Sequence, residues 1–113
     1  MLVLLSLACA PRLYSDGTQV WSAPENSWPA AESLPEGFAA EGFASGEVIP
    51  ELRCDDQHGA EVSLWQFYGD IVILDISTMW CAPCQDLAKH VDETQAHYAN
   101  DGVVYVTVLA QNL

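Results

Sequence analysis

The decapeptide Asp75-Ile76-Ser77-Thr78-Met79-Trp80-Cys81-Ala82-Pro83-Cys84 joins an apolar run to an amphipathic segment, and the chain can be read outward from that junction. The run before it is Ile71-Val72-Ile73-Leu74. Two thiols separated by two residues can close a small disulfide ring. Where a strand hands over to a helix, the first sulfur also meets unpaired backbone N–H groups, which favour its thiolate. In the segment that follows, Cys84, Leu87, Ala88, Val91, Gln95 and Tyr98 fall on one stripe at helical spacing, with Asp86, Lys89, His90, Glu93 and His97 opposite. The period predicts a helix from about 81 to 99 whose stripe faces a core. Pro83 falls in its first turn, where a missing N–H costs nothing. Asn100-Asp101-Gly102 stops it.

Val103-Val104-Tyr105-Val106-Thr107-Val108-Leu109 is an almost continuous β-branched run, the pattern of a strand buried on both faces. Strand 70–76, the helix and strand 103–109 form one βαβ unit with parallel strands and a right-handed crossover. The cysteines then sit at the carboxyl end of a parallel strand, where open α/β sheets carry their chemistry.

At these residues the chain resembles the thioredoxin superfamily, and most closely the extracytoplasmic thiol-disulfide oxidoreductases of the TlpA/ResA type with their redoxin relatives. The matching residues are Gly69-Asp70-Ile71-Val72-Ile73-Leu74-Asp75, Trp80-Cys81-Ala82-Pro83-Cys84 and Asp101-Gly102-Val103-Val104. The likeness covers roughly residues 48–113. It implies an α/β, thioredoxin-like fold of which the chain holds the N-terminal βαβ half, after an irregular extension. That fold continues with a second helix, an antiparallel strand pair, a final helix and a cis-proline loop opposite the cysteines. A chain stopping at Leu113 therefore reads as a fragment, truncated at its C-terminus, or as a half-domain completed by a partner.

The implied activity is thiol–disulfide exchange with protein dithiols and disulfides, re-armed by an upstream thiol reductant and using no cofactor. Cys81, nearer the helix N-terminus, attacks and forms a mixed disulfide, and Cys84 resolves it. Asp75 is an isolated carboxylate on an apolar strand. Its position matches the buried Asp of thioredoxins, and that resemblance assigns it as proton acceptor for Cys84; the alternative is an Asp at a frayed, solvated strand end. Trp80 and Pro83 shape the site, Trp80 by shielding the disulfide or by ordinary packing.

Sixteen acids against three bases, a net charge of −13, argue against nucleic acid and against electrostatic attachment to anionic lipid. Residues 1–8 (MLVLLSLA) are apolar and end at Cys9, like the tail of a bacterial lipoprotein signal peptide. A spanning helix would need about 20 apolar residues. No Lys or Arg precedes the run, and Ser6 stands where that motif usually has an aliphatic residue. The expectation is an extracytoplasmic bacterial protein, periplasmic or membrane-anchored through a lipidated Cys9. Residues 10–47 are a linker: residues 10–50 hold five of the six prolines and four glycines, with no sustained hydrophobic period. Glu36-Gly37-Phe38-Ala39 recurs as Glu41-Gly42-Phe43-Ala44, a low-complexity echo. Trp21, Trp28, Phe38 and Phe43 fit docking on the domain, packing against a partner, or a membrane surface, with docking the default.

The domain starts at residue 48. Glu51-Leu52-Arg53-Cys54 and Ala60-Glu61-Val62-Ser63 flank a turn-rich stretch and read as a hairpin. Ser63-Leu64-Trp65-Gln66-Phe67 reads as a helical turn; the resemblance implies that it precedes the central strand, with Leu64 and Phe67 packing under it. Cys54 is open between a buried small hydrophobe, a third redox thiol and a partner for an unlipidated Cys9.

Three other functions compete. A peroxiredoxin-like (AhpC/TSA) peroxide reductase is suggested by Thr78, three residues before Cys81, but that family's proline would fall at Leu74. Metal binding through Cys81 and Cys84 lacks a second ligand pair beyond Cys54 and His58, and His90, Glu93 and His97 read as a solvated helix face, so no metal site is expected. A truncated, catalytically silent interaction module is the non-enzymatic reading.

Overall fold

The structure, a computed structural model, describes residues 4–5, 10–12 and 21–110. Its strands are β1 (Leu4–Leu5), β2 (Ala10–Arg12), β3 (Glu51–Asp55), β4 (Glu61–Ser63), β5 (Ile71–Ser77) and β6 (Val103–Leu109), with helix α1 (Ala82–Tyr98) between the last two. They form two sheets, a parallel one in the order β1-β6-β5 and an antiparallel one in the order β2-β3-β4. The β5-α1-β6 unit is the expected βαβ crossover. The fold is mixed α/β, consistent with part of a thioredoxin-like domain.

Local chemistry accounts for the joints. Ser63 caps the 3-10 turn Leu64–Phe67, accepting from the Trp65 N–H while the Gln66 side chain accepts from the Ser63 N–H, a reciprocal capping box. After α1, a 3-10 turn (Ala99–Asp101) ends at Gly102, whose φ of 70° is left-handed and open to glycine at little cost. The Gly102 carbonyl then accepts from the Ile71 N–H, starting the β5–β6 pairing.

Side chains alternate across β5 and β6. Val72, Val104, Val106 and Val108 point to the face covered by the hairpin and the 3-10 turn, where they pack with Trp28, Cys54, Val62, Leu64 and Phe67. Leu64 and Phe67 thus lie under the parallel sheet, as the sequence predicts. Completely burying a side chain such as Phe67 is worth about 1.5–3 kcal/mol. The opposite face carries Asp75, Ser77, Tyr105 and Thr107 toward α1. Gln95 ties the helix to β6 by accepting from the Tyr105 N–H and donating to the Val103 carbonyl.

Two expectations change. Of the helical stripe only Val91 is buried; Leu87 and Tyr98 stay exposed, because α1 rests mainly on β6 and its stripe is wider than the sheet beneath. Strand β5, expected to be central, is an edge: β6 lies in the middle, and Ile71 and Ile76 are 64% and 65% exposed.

Residues 21–50 hold no regular element, yet they are not a free tether. Trp28 is buried and its indole N–H donates to Asp56, the Trp21 indole donates to Glu51, Asn26 bridges Glu61 and Gln66, and Phe38 meets Trp65 and Tyr68 edge to face. Phe43 alone of the four aromatic residues remains exposed. Cys54 is buried and disulfide-bonded, so it is neither an inert hydrophobe nor a free third thiol. Cys9 lies outside the described residues.

Burial alone would raise the pKa of Asp56. Hydrogen bonds from the Trp28 indole and the Ala60 and His58 N–H groups, with the nearby His58, outweigh it and hold the carboxyl below its ordinary value of 3.8. The ionised form is therefore the one the fold favours. Its stabilisation is complete above pH 3.8 and is lost as the pH falls through the lower folded value. The expected result is a red shift of Trp28 emission on acidification below that point. The step should be absent in Trp28→Phe and flattened in Asp56→Asn.

Candidate active site

Strand β5 ends at Ser77, whose carbonyl accepts from the Ala110 N–H and so stays tied to the end of β6. The chain then turns: the Cys81 N–H donates to the Thr78 carbonyl at 3.2 Å, and the Gln85 side chain to the Met79 carbonyl at 2.6 Å. These bonds fix a short loop carrying Trp80 to the rim. Trp80 is 69% exposed, so it is not a core residue and stands free to meet whatever approaches Cys81.

Cys81 is the N-cap of α1. Its backbone is extended (φ −79°, ψ 104°), and its sulfur accepts from the Cys84 N–H at 3.3 Å. A helix N-terminus leaves such donors unsatisfied, and one aimed at sulfur stabilises negative charge there. Pro83 lies in the first turn, where its fixed φ suits the helix. Cys81 and Cys84 are joined in a disulfide with Cα atoms 5.2 Å apart, and both are half-buried. Neither sulfur's residue is singled out by exposure; what distinguishes Cys81 is its place at the cap.

Asp75 lies within β5 and is half-buried, paired in register with Thr107. It is not at a frayed end. Its Oδ2 accepts from the Ser77 hydroxyl at 2.8 Å and from the Thr107 hydroxyl at 3.5 Å. Burial, and then the charge of Asp75, raise the pKa of Tyr105 above the ordinary phenol value. A cleft of about 250 Å³ opens beside the disulfide, lined by Ser77, Thr78, Cys84, Ala88, Thr107 and Leu109 among others. The structure thus brings Cys81, Cys84, Trp80 and Pro83 together, while Asp75 lies outside the cleft lining and is held by Ser77 and Thr107. Ser77 and Thr107 were not foreseen as part of this cluster; the signal available was a pair of hydroxyls on otherwise apolar strands.

Among the described residues no group of three or more His, Cys, Asp or Glu is arranged to hold a metal ion. Within the same residues no helix is long and apolar enough to cross a membrane.

Nothing among curated proteins or solved structures matches the chain. Residues 45–113 match the AhpC/TSA family, a span that takes in the hairpin, the βαβ unit and both cysteines of the helix cap. With that match over more than half of its length, and with a sulfur pair at the end of a parallel strand, the chain belongs to the AhpC/TSA family of redoxin-type oxidoreductases.

Proposed function

We propose that this protein is a thiol–disulfide oxidoreductase acting through Cys81 and Cys84 on protein dithiols and disulfides. The observation that carries the reading is the Cys81–Cys84 disulfide at the N-terminus of α1, with the Cys81 sulfur accepting a backbone N–H. In the reduced form that N–H favours the Cys81 thiolate, which attacks one sulfur of a substrate disulfide and releases the other as a thiolate. Cys84 then attacks Cys81, closing the ring and releasing the reduced substrate. Asp75 is the proton acceptor for Cys84, and an upstream thiol returns the ring to the dithiol. Trp80, exposed beside Cys81, shapes the approach.

An extracytoplasmic setting is supported by the buried, disulfide-bonded Cys54, since structural disulfides persist in oxidising compartments.

A second reading is peroxide reduction. It is favoured by the AhpC/TSA match and by Thr78, which lines the cleft beside Cys84. One experiment separates the two: the reduced full chain is mixed in turn with a disulfide-bonded protein and with hydrogen peroxide, and the appearance of the Cys81–Cys84 disulfide is followed by alkylation and mass. Faster oxidation by the protein disulfide, with release of its thiols, is expected. Faster oxidation by peroxide at equal concentration overturns the exchange reading in favour of the second.

A further inference from the structure

We infer that Cys9 is the partner of Cys54, and that this second disulfide is a structural staple set apart from the redox pair. Cys9 itself lies outside the described residues; the grounds are its neighbours in β2, the state of Cys54 and the sulfur count. The chain has four cysteines. Cys81 and Cys84 are joined to each other, Cys54 is disulfide-bonded, and among the described residues no cysteine is free. The one other sulfur the chain can offer to Cys54 is that of Cys9.

Strand register points to the same pair. β2 and β3 run antiparallel, with Arg12 opposite Glu51, Pro11 opposite Leu52 and Ala10 opposite Arg53. One step further in that count sets position 9 against Cys54. Directly opposed residues of an antiparallel ladder point to one face with Cα atoms about 4.5–5.5 Å apart, inside the roughly 4.4–6.8 Å that a disulfide spans. A second copy of the chain is the rival source of a sulfur. Cys54 is 2% exposed and packs with Trp28, Val62, Leu64 and Phe67, so a sulfur on the adjacent strand reaches it and one arriving from solvent does not.

The bond closes a loop that contains residues 21–50, and it holds the start of that loop against the hairpin on which Trp21 and Trp28 dock. Such a cross-link acts mainly by restricting the unfolded chain. In its formation the two thiols give up two protons and two electrons to a small disulfide such as oxidised glutathione. The donor S–S bond breaks to two thiols as the Cys9–Cys54 bond forms. A sulfur held in that bond carries no lipid thioether. The apolar run before it then belongs to the domain, in keeping with the pairing of β1 with Thr107 and Val108 of β6. The two disulfides also differ in access: Cys81 and Cys84 are half-buried at the cleft, whereas Cys54 lies in the core. A reductant that opens the first leaves the second closed.

The test uses the full chain, expressed in a bacterium with its own N-terminus and equilibrated with reduced and oxidised glutathione. Free thiols are alkylated, and trypsin is added without reductant. Trypsin cuts after Arg12, Arg53 and Lys89. Residues 1–12 should appear linked to residues 54–89, and the link should persist in Cys81→Ser/Cys84→Ser and vanish in Cys54→Ala. Two copies of 54–89 linked in the double variant, an alkylated Cys54, or a lipid on Cys9 would each overturn the inference. Wild-type chain treated with dithiothreitol and iodoacetamide gives a second readout. Cys54 should be alkylated at least about tenfold more slowly than Cys81 and Cys84, because its sulfur is reached only when the core opens. Equal rates overturn the staple. The inference does not rest on the exchange reaction proposed above, and loss of exchange activity leaves it standing.

Discussion

Cys81→Ser is expected to reduce disulfide exchange to the uncatalysed level, whereas Cys84→Ser should leave the first attack working and trap the substrate on Cys81. The asymmetry follows from the cap. Only Cys81 receives the N–H at the helix terminus, so only its sulfur gains stabilisation as a thiolate. A serine hydroxyl cannot form the S–S bond on which the reaction depends. In Cys84→Ser the attacking sulfur survives, but nothing within the loop can displace the substrate. Intact mass after mixing with a disulfide-bonded protein gives the answer: a stoichiometric adduct in Cys84→Ser and none in Cys81→Ser is expected. The reverse pattern would assign the attack to Cys84.

The largest effect on stability is expected from Arg53→Met. Glu51 is completely buried, and its Oε1 accepts from the Arg53 Nε at 2.8 Å, the Ser63 hydroxyl at 2.5 Å and the Trp21 indole at 2.8 Å. Arg53 also reaches Glu61 at 2.7 Å and the Ser22 carbonyl at 3.2 Å. Among the described residues Arg53 is the one charged donor to Glu51, and Oε2 has no hydrogen-bond partner. Removing the guanidinium leaves a carboxylate out of water with neutral donors alone, a change that typically costs about 3–5 kcal/mol. Against a domain stability of roughly 5–15 kcal/mol, that is a large share. The double variant Glu51→Gln/Arg53→Met, which also removes the charge left behind, should recover most of the loss. Urea unfolding of the three chains, read from the midpoint at constant slope, checks both statements. If the double variant is no more stable than Arg53→Met, the cost lies in lost packing of the arginine stem and not in the stranded charge.

The two predictions concern opposite sides of the parallel sheet. The cysteines, with Asp75 and its hydroxyl partners, belong to the helix side. The ion pair belongs to the antiparallel hairpin, which with the residues 21–50 closes the other face. Arg53→Met should therefore lower the unfolding midpoint while leaving the rate of disulfide exchange by the folded chain unchanged.

What could be read from the chain alone was what its local chemistry dictates. The β-branched runs around 71–77 and 103–109, the helical period from Cys84 onward, Pro83 at the helix start and Gly102 at its end each specify an element without a distant partner, and all of those elements are present. The hairpin and the 3-10 turn were legible for the same reason, and the two cysteines were legible as a pair because their spacing is local. Burial was not local. Whether Ile76 or Leu87 is covered depends on what lies beside β5 and beneath α1, and a hydrophobic pattern states only that a residue can be buried. Docking of Trp28 against Asp56 and the meeting of Asp75 with Thr107 join residues 28 and 32 positions apart in sequence, which only closure of the extension or pairing of strands brings together. The sequence by itself determined the elements and the redox pair, since those follow from backbone preference and short spacing. The tertiary structure decided which face is covered and that Asp75 meets the hydroxyls of Ser77 and Thr107, since these depend on strand register and on contacts no local pattern encodes.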